Sequence, residues 1–390
     1  VADINRLHSI NTSRILRAIW LNPGVSRIKV AEMLDLDRST VTKIMQVILD
    51  RGLVVTAGKN TEQSGVGRRQ INLQINGDIG VVLGMEVQDA RYVAVITTIE
   101  GKVLHSFEGL ASYALTKETL PVHILELVAR AKKIIADEGL FLLGIGIGLP
   151  GIIDPYTGVI IRSGSFQISE PFNLHAELEK SCAEPVFIEN DANSCCWGEL
   201  AFCTENRSRN FISVLGEFRD TVPDVAGCHG FALGLGLVVR ERVLHGDHFT
   251  AGEFRTVPAD RNSGQFRIPY SKLCELPENR EVLREAYAEL TESLAFLVNC
   301  VDFTKIVFTG DIADYPENLK ELMENSIVNN WIYDLERSFI IEFSPHGNKA
   351  VSIGAAGLFV EKLFSVPDVA DRFQEIVGYD LYEQILNRKE

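Results

Sequence analysis

The sequence predicts an α/β protein: an N-terminal winged helix-turn-helix followed by a larger body of two α/β lobes around a cleft. Three observations predict it. Residues 1–76 carry 11 Lys and Arg against 6 Asp and Glu, a net of +5, which leaves −20 for the rest of a 390-residue chain whose total is −15. A basic head on an acidic body predicts that only the head meets a polyanion. Within the head, two short amphipathic helices joined by a tight turn precede a pair of strands, and beyond it apolar strands alternate with helices.

A chain of 390 residues exceeds what one core usually holds. The predicted units are residues 1–76 for the head, 77–188 for the first lobe and 189–390 for the second lobe with the C-terminal helices. The hydrophobic fraction of 46% is ordinary for a globular protein, no window approaches the 18 or so consecutive apolar residues of a membrane span, and residues 1–13 lack a signal-peptide layout. A cytoplasmic protein without a membrane partner is expected. The seven cysteines, at 182, 195, 196, 203, 228, 274 and 300, form no CxxC or CxC pair, as in a reducing compartment.

In the head, Ile15, Leu16, Ile19 and Trp20 recur at helical spacing until Asn22, Pro23 and Gly24 end the helix. Ser26 is placed to cap a second helix that buries Val30, Ala31 and Leu34. Asp35 and Leu36 form the turn, and Asp37 is placed to cap a third helix. That helix buries Val41, Ile44, Met45 and Ile48 and leaves Arg38, Ser39, Thr40, Thr42, Lys43 and Gln46 on the other face, side chains suited to phosphates and base edges. The alternative is a small helical bundle with a solvated face. Strands at 53–56 and 70–75 flank a loop in which glycines surround Arg68 and Arg69, a basic wing for phosphates or a narrow minor groove. Asn76, Gly77 and Asp78 read as a hinge.

In the body, strands are predicted at 81–87, 92–99 and shortly after Gly101. A helix follows over about 120–138, and then an apolar strand at 143–149 leading to Pro150, Gly151 and Gly158. The strand at 186–188 runs into Glu189, Asn190, Asp191, Ala192 and Asn193 and then a helix, which places an amide and a carboxylate at the carboxyl end of a strand, where open α/β sheets bind ligands. Asp191 beside Asn190 can accept hydrogen bonds from paired hydroxyls, or act as a general base on one. The plainer alternative is that both residues only cap the helix. Farther on, 281–299 reads as a long helix, 305–309 as a strand, 350–364 as a helix in which Gly354, Ala355, Ala356 and Gly357 permit close packing, and 368–388 as a helical tail; these elements are expected to carry the fold and the dimer contacts.

The order of a winged helix-turn-helix, the Gly144 to Gly158 stretch, the Asn190, Asp191 and Asn193 cluster, and Ala251, Gly252, Glu253 resembles the ROK family of repressors, open reading frames and kinases, and more closely its NagC/Mlc/XylR type of sugar-responsive regulator. The resemblance covers nearly the whole chain. It implies an actin-like or hexokinase-like two-lobed body with the sugar between the lobes.

Kinases of this family carry Asp-x-Gly-Gly-Thr in their first hairpin, because backbone amides must approach the phosphates closely. This chain has Glu86, Val87, Gln88, Asp89 and Ala90 there; the second phosphate loop, Gly-Thr-Gly-Ile-Gly, becomes Gly230, Phe231, Ala232, Leu233 and Gly234, and a third stretch reads Phe308, Thr309, Gly310, Asp311. The sugar side is better kept. By resemblance Asn190 and Asp191 hold sugar hydroxyls, with Asp191 at the family's catalytic-base position, and Glu253 matches the glutamate of Ala-Gly-Glu-x-Gly-His. The Gly and His of that motif become Arg255 and Thr256, and Arg255 either favours an acidic or phosphorylated sugar or turns away into an ion pair. The cysteine loop with which relatives bind zinc is missing from 258–270, so no metal site and no cofactor are predicted. Cys195, Cys196 and Cys203 read as buried thiols, and His245 and His248 as surface residues. The stretch 216–229 is longer than the family's usual connection.

The resulting expectation is a transcriptional regulator, a repressor without enzymatic activity, which binds a double-stranded DNA operator as a homodimer or tetramer and responds to a sugar or sugar derivative held by Asn190, Asp191, Glu253, Arg255 and Thr256. The alternative is a sugar kinase with an appended DNA-binding domain, using Asp191 as base. A third reading keeps the DNA binding and has the body answer to a protein partner.

Overall fold

The structure, a computed structural model, describes residues 2–57, 72–203, 208–219, 230–259, 264–316, 318–334, 337–368 and 375–388. The head contains α1 (Ala2–Leu21), β1 (Val25–Ser26), α2 (Arg27–Leu34), α3 (Arg38–Asp50), β2 (Val54–Ala57) and β3 (Asn72–Ile75). Ser26 caps α2 by accepting the Lys29 N–H at 3.3 Å, and Asp35 ends α2 in the left-handed region at φ 51°, which turns the chain into α3 within three residues. Asp37 stands before α3 without a side-chain capping bond, so the expected cap is not made, and Leu34 is half-buried rather than buried. Val41, Ile44, Met45 and Ile48 are buried as their spacing requires. β2 and β3 pair antiparallel with Val54 opposite Ile75, and β1 adds to β3.

The first body sheet is built from β4 (Val81–Val87), β5 (Arg91–Thr98), β6 (Val103–Leu110), β7 (Leu142–Leu149) and β11 (Val186–Asn190), in the order β11-β7-β4-β5-β6. α4 (Leu120–Asp137) and α5 (Leu174–Glu179) cover its outer face, and β8 (Ile152–Asp154), β9 (Val159–Arg162) and β10 (Phe172–Asn173) form a small sheet beside it. α6 (Asp191–Phe202) leads to the second sheet, which contains β12 (Phe211–Arg219), β13 (Gly230–Val239), β14 (Arg242–Val243), β15 (Lys305–Gly310) and β16 (Ile340–Phe343) in the order β14-β13-β12-β15-β16. α7 (Tyr270–Leu273), α8 (Arg280–Val301) and α9 (Leu319–Asn329) pack on its outer face. α10 (Ala350–Leu363) then returns to lie with α6 between the two sheets, and α11 (Tyr379–Asn387) ends the described chain.

Central strands covered on both faces are mostly apolar, and every residue of β4 and β7 is buried, Glu86 of β4 included. α10 comes close enough to β7 that a Cβ at Gly146 would run into the Ala355 carbonyl, so the small residues of α10 meet a glycine on the strand they cover. The helices after residue 350 therefore pack on the first sheet and on the head, although they follow the second sheet in the chain.

Head and body share one core. Ile15, Leu16, Ile19, Met45 and Ile48 belong to the same buried cluster as Phe359, Phe364, Tyr382 and Ile385. Around it, Trp20 stacks on Phe364 at 4.8 Å, the Tyr379 N–H donates to Ser13 Oγ at 2.9 Å, Ser9 Oγ donates to Asp380 at 2.6 Å, and Arg51 reaches both Tyr379 OH and Glu383 at 2.7 Å. The segment read as a hinge is also bonded: Asn76 donates to the Gly52 carbonyl at 2.8 Å and accepts from the Asp78 N–H at 3.1 Å. Among the described residues of the tail, one of the C-terminal elements expected to serve dimer contacts, the helix Tyr379–Asn387 buries Tyr379, Leu381, Tyr382 and Ile385 within its own protomer.

Truncating a fully buried aromatic removes its apolar contacts and leaves a cavity. Tyr382→Ala is expected to lower the unfolding free energy by about 3 kcal/mol in urea denaturation, with α1 and α11 amides losing hydrogen-exchange protection together.

Candidate functional site

The carboxyl ends of the two sheets face a cavity of about 490 Å³. Asn190, the last residue of β11, sits in its wall and caps α6: its Oδ1 accepts the Asn193 N–H at 3.1 Å and its amide donates to the Gly151 carbonyl at 3.0 Å. The capping alternative is thus true of Asn190, and the cap faces the cavity. Asp191 opens α6, is 8% exposed, accepts the Ala192 N–H at 2.8 Å and also lines the cavity.

Across the cavity, Gly252 has φ 96°, and a Cβ there would collide with the Leu235 carbonyl, so only glycine brings this loop against β13. The loop presents Glu253 at the rim, with its carboxyl raised by partial desolvation. Arg255 and Thr256, both predicted to hold ligand, do not line the cavity. Arg255 is exposed, and Thr256 is buried with its hydroxyl beside the Gln265 carbonyl at 2.8 Å and the Glu289 carboxylate. The physical reason is that the chain turns outward after Glu253 to bond α8, as the Val257 N–H donating to Ser293 Oγ at 2.9 Å shows. Gln265 takes a place in the wall instead: it accepts the Leu233 N–H at 2.9 Å and donates to the Leu233 carbonyl at 2.7 Å.

Behind Asn190 lies a residue whose role the sequence reading missed. Glu189 is 0% exposed, and its carboxylate accepts the Asn190 N–H at 2.9 Å, Asn193 Nδ2 at 3.3 Å, Trp197 Nε1 at 3.0 Å and His245 Nε2 at 2.8 Å. His245 is not at the surface as expected; its side chain is 10% exposed, and its carbonyl accepts the Ala251 N–H at 3.2 Å, next to Gly252 and Glu253. One ring therefore ties the Asn190 and Asp191 wall to the Glu253 wall. Burial alone would lower the His245 pKa, but the Glu189 charge and hydrogen bond raise it, as does Asp154, against Lys362. Burial alone would raise Glu189, yet His245 and the other donors hold it below its ordinary range. A carboxylate inside an otherwise apolar strand was the signal that could have prompted a search for its partner.

The end of the cavity where kinases of the family would hold phosphates has a different character. The side-chain amide of Gln88 lies 2.6 Å from both Glu86 and Glu217, Arg91 reaches Glu217 at 3.4 Å, and Asp311 accepts the Phe218 N–H at 3.0 Å. Burial and the neighbouring Glu217 charge push the carboxyls of Glu86 and Asp311 upward. Phe231, which replaces the hydroxyl donor, is 1% exposed and stacks between Phe218 and Phe266. Among the described residues no group of three or more His, Cys, Asp or Glu is arranged to hold a metal ion.

On the head, Arg38, Ser39, Thr42, Lys43 and Gln46 are exposed along α3 and Thr40 is half-buried. Thr42 donates to the Arg38 carbonyl at 2.7 Å and Gln46 to Asp50 at 2.7 Å, so two of the six are engaged within their own helix. Arg68 and Arg69 lie outside the described residues, as do residues 220–229 of the long connection. Among the described residues no helix is long and apolar enough to cross a membrane.

Removing one member of a buried ion pair strands the other. His245→Ala is expected to destabilise the protein by about 3 kcal/mol, measured by urea denaturation. Because the folded pKa of His245 is raised, its contribution is complete below its unfolded value and fades as pH rises through the folded one. Glu189, being depressed, loses its contribution only when acid reaches its folded pKa. The stability difference between wild type and His245→Gln should therefore shrink above neutral pH.

The ROK family model matches residues 82–274. The chain is 27% identical over 249 residues to the xylose repressor of Caldicellulosiruptor bescii, covering 63% of this chain and 58% of that protein. It is 31% identical over 270 residues to the beta-glucoside kinase of Listeria innocua, covering 59% of this chain and 85% of the kinase. The chain thus spans less than two thirds of the length of the repressor it matches. A solved ROK family transcriptional regulator, a homolog of the E. coli MLC protein, superposes with a TM-score of 0.73 at 19% identity, covering 98% of this chain and 100% of that one. The likeness of fold runs through head and body alike, the kinase is matched over most of its own length, and the chain belongs to the ROK family.

Proposed function

We propose that the protein is a DNA-binding transcriptional regulator, a repressor, whose hold on its operator is set by a carbohydrate or carbohydrate derivative in the cleft. One observation carries the reading: one end of the cleft is lined by Asn190, Asp191 and Glu253, suited to hydroxyls, while the other is lined by Asp89, Glu217 and Asp311 beside Arg91, a wall in which the carboxylates outnumber that guanidinium and disfavour a triphosphate. The names of the relatives, xylose repressors and a beta-glucoside kinase, support a sugar as ligand. In this reading 1–76 binds DNA and the lobes 77–188 and 189–390 bind ligand between them. Arg38, Ser39, Thr40, Thr42, Lys43 and Gln46 face the major groove, Arg68 and Arg69 the backbone, and a homodimer presents two heads to a partly palindromic site in the cytoplasm.

Coupling requires the ligand to favour one arrangement of the lobes. The core shared by α1, α3, α10 and α11 supports a direct route, since a shift of α10 against its sheet moves residues that touch the head. The second reading, a sugar kinase, is favoured by the kinase relative and by Asp191 at the family's base position. A coupled assay with ATP and a broad sugar panel separates the two: no turnover is expected, and turnover abolished by Asp191→Asn would establish the kinase.

Neutralising Arg38 and Lys43 should weaken operator binding and reduce the slope of log affinity against log salt by about one per lost phosphate contact, with the ligand-induced thermal shift unchanged. Asp191→Ala or Glu253→Ala should instead remove about 1 to 3 kcal/mol of ligand binding and leave unliganded operator affinity near normal. A folded cleft variant that keeps its ligand and loses DNA contradicts this division.

A further inference from the structure

The phosphate end of the cavity is rebuilt rather than merely emptied. Gln88 joins Glu86 to Glu217 and Arg91 reaches Glu217, while Asp311 separately holds the backbone of Phe218. Two apolar side chains share this end. Phe218 lines the cavity while stacked on Phe231 at 5.0 Å, and Leu110, paired in register with Arg91, lines it at 75% exposure. A ring wall beside carboxylates, an amide and a guanidinium is the mixture that suits a sugar: the hydroxyls take donors and acceptors, and the C–H face lies on the aromatic ring.

Size points the same way. A hexose has about 12 non-hydrogen atoms and at interior packing density fills on the order of 200 Å³, whereas the cavity holds about 490 Å³. Among the described residues, a ring held by Asn190, Asp191 and Glu253 leaves room at the Phe218 end.

Building on the reading of the cleft as a carbohydrate site, we infer that the former phosphate end is a second sugar subsite, lined by Phe218, Leu110, Gln88, Arg91 and Asp311, and that the effector is a glycosidically linked disaccharide or longer saccharide. The first ring occupies the Asp191 and Glu253 end and the second lies against Phe218. No bond is made or broken; the subsite contributes affinity and selects chain length.

Calorimetric titration of the full chain with D-xylose, D-glucose, xylobiose and cellobiose tests this. One disaccharide should bind at least about tenfold more tightly than its own monosaccharide. Phe218→Leu, which keeps an apolar side chain over Phe231, and Leu110→Ala, at an exposed position, should each reduce that advantage severalfold and leave monosaccharide binding within about twofold. Equal binding of both members of each pair, or variants that weaken mono- and disaccharide alike, overturns the subsite while the carbohydrate reading stands. Failure of all four sugars to bind overturns the subsite together with the reading beneath it.

Discussion

The carboxylate of Glu189 has no exposure to water, and such a charge is tolerated only when donors surround it. Four do: a backbone N–H, an amide, an indole and the imidazole of His245. Because these donors come from β11, from α6 and from the loop after β14, satisfying one buried charge brings both walls of the cleft to a defined separation. Asn190 then caps α6, Asp191 follows as its first residue, and the Gly252 turn delivers Glu253 opposite. The cavity-facing groups are thus positioned by a network in which Glu189, Asn193, Trp197 and His245 do not themselves line the cavity.

The same economy of space joins the head to the body. α6 and α10 fill the gap between two sheets, and small residues on α10 allow an approach that a larger side chain would forbid. The end of α10 and the whole of α11 then carry apolar side chains out to α1 and α3. Interiors packed at this density respond to displacement by switching between arrangements rather than by yielding locally, and under the proposed function this shared core is the route from the lobes to α3.

Fold and chemistry separate clearly in this chain. A two-lobed body of this kind can host more than one chemistry, so the side chains that line the cavity, not the fold, carry the functional argument. Backbone amides that approach a phosphate need glycines, and Gln88, Asp89 and Ala90 supply none; Phe231 fills the place of a hydroxyl and packs into the second lobe's core. Glu86 and Glu217 both accept from the Gln88 amide, so these side chains set the charge of the wall as well as its shape.

Much was legible in the sequence because it depends on local periodicity. The i, i+3, i+4, i+7 spacing of Val41, Ile44, Met45 and Ile48 determined a helix and its buried face, Ser26 its neighbour's start, and the apolar runs at 81–87 and 143–149 the central strands. Asn190 and Asp191 were recognisable at a strand's end, since capping and ligand contact use the same short polar side chains. Tertiary structure alone decided the rest, for the reason that long-range pairings leave no periodic trace. Nothing near His245 announces Glu189, 56 residues away, and nothing near Thr256 shows that its hydroxyl serves Glu289 rather than a ligand. The docking of α11 on α1 joins residues more than 360 positions apart, and only the folded chain shows that the last helix belongs to the core of the first.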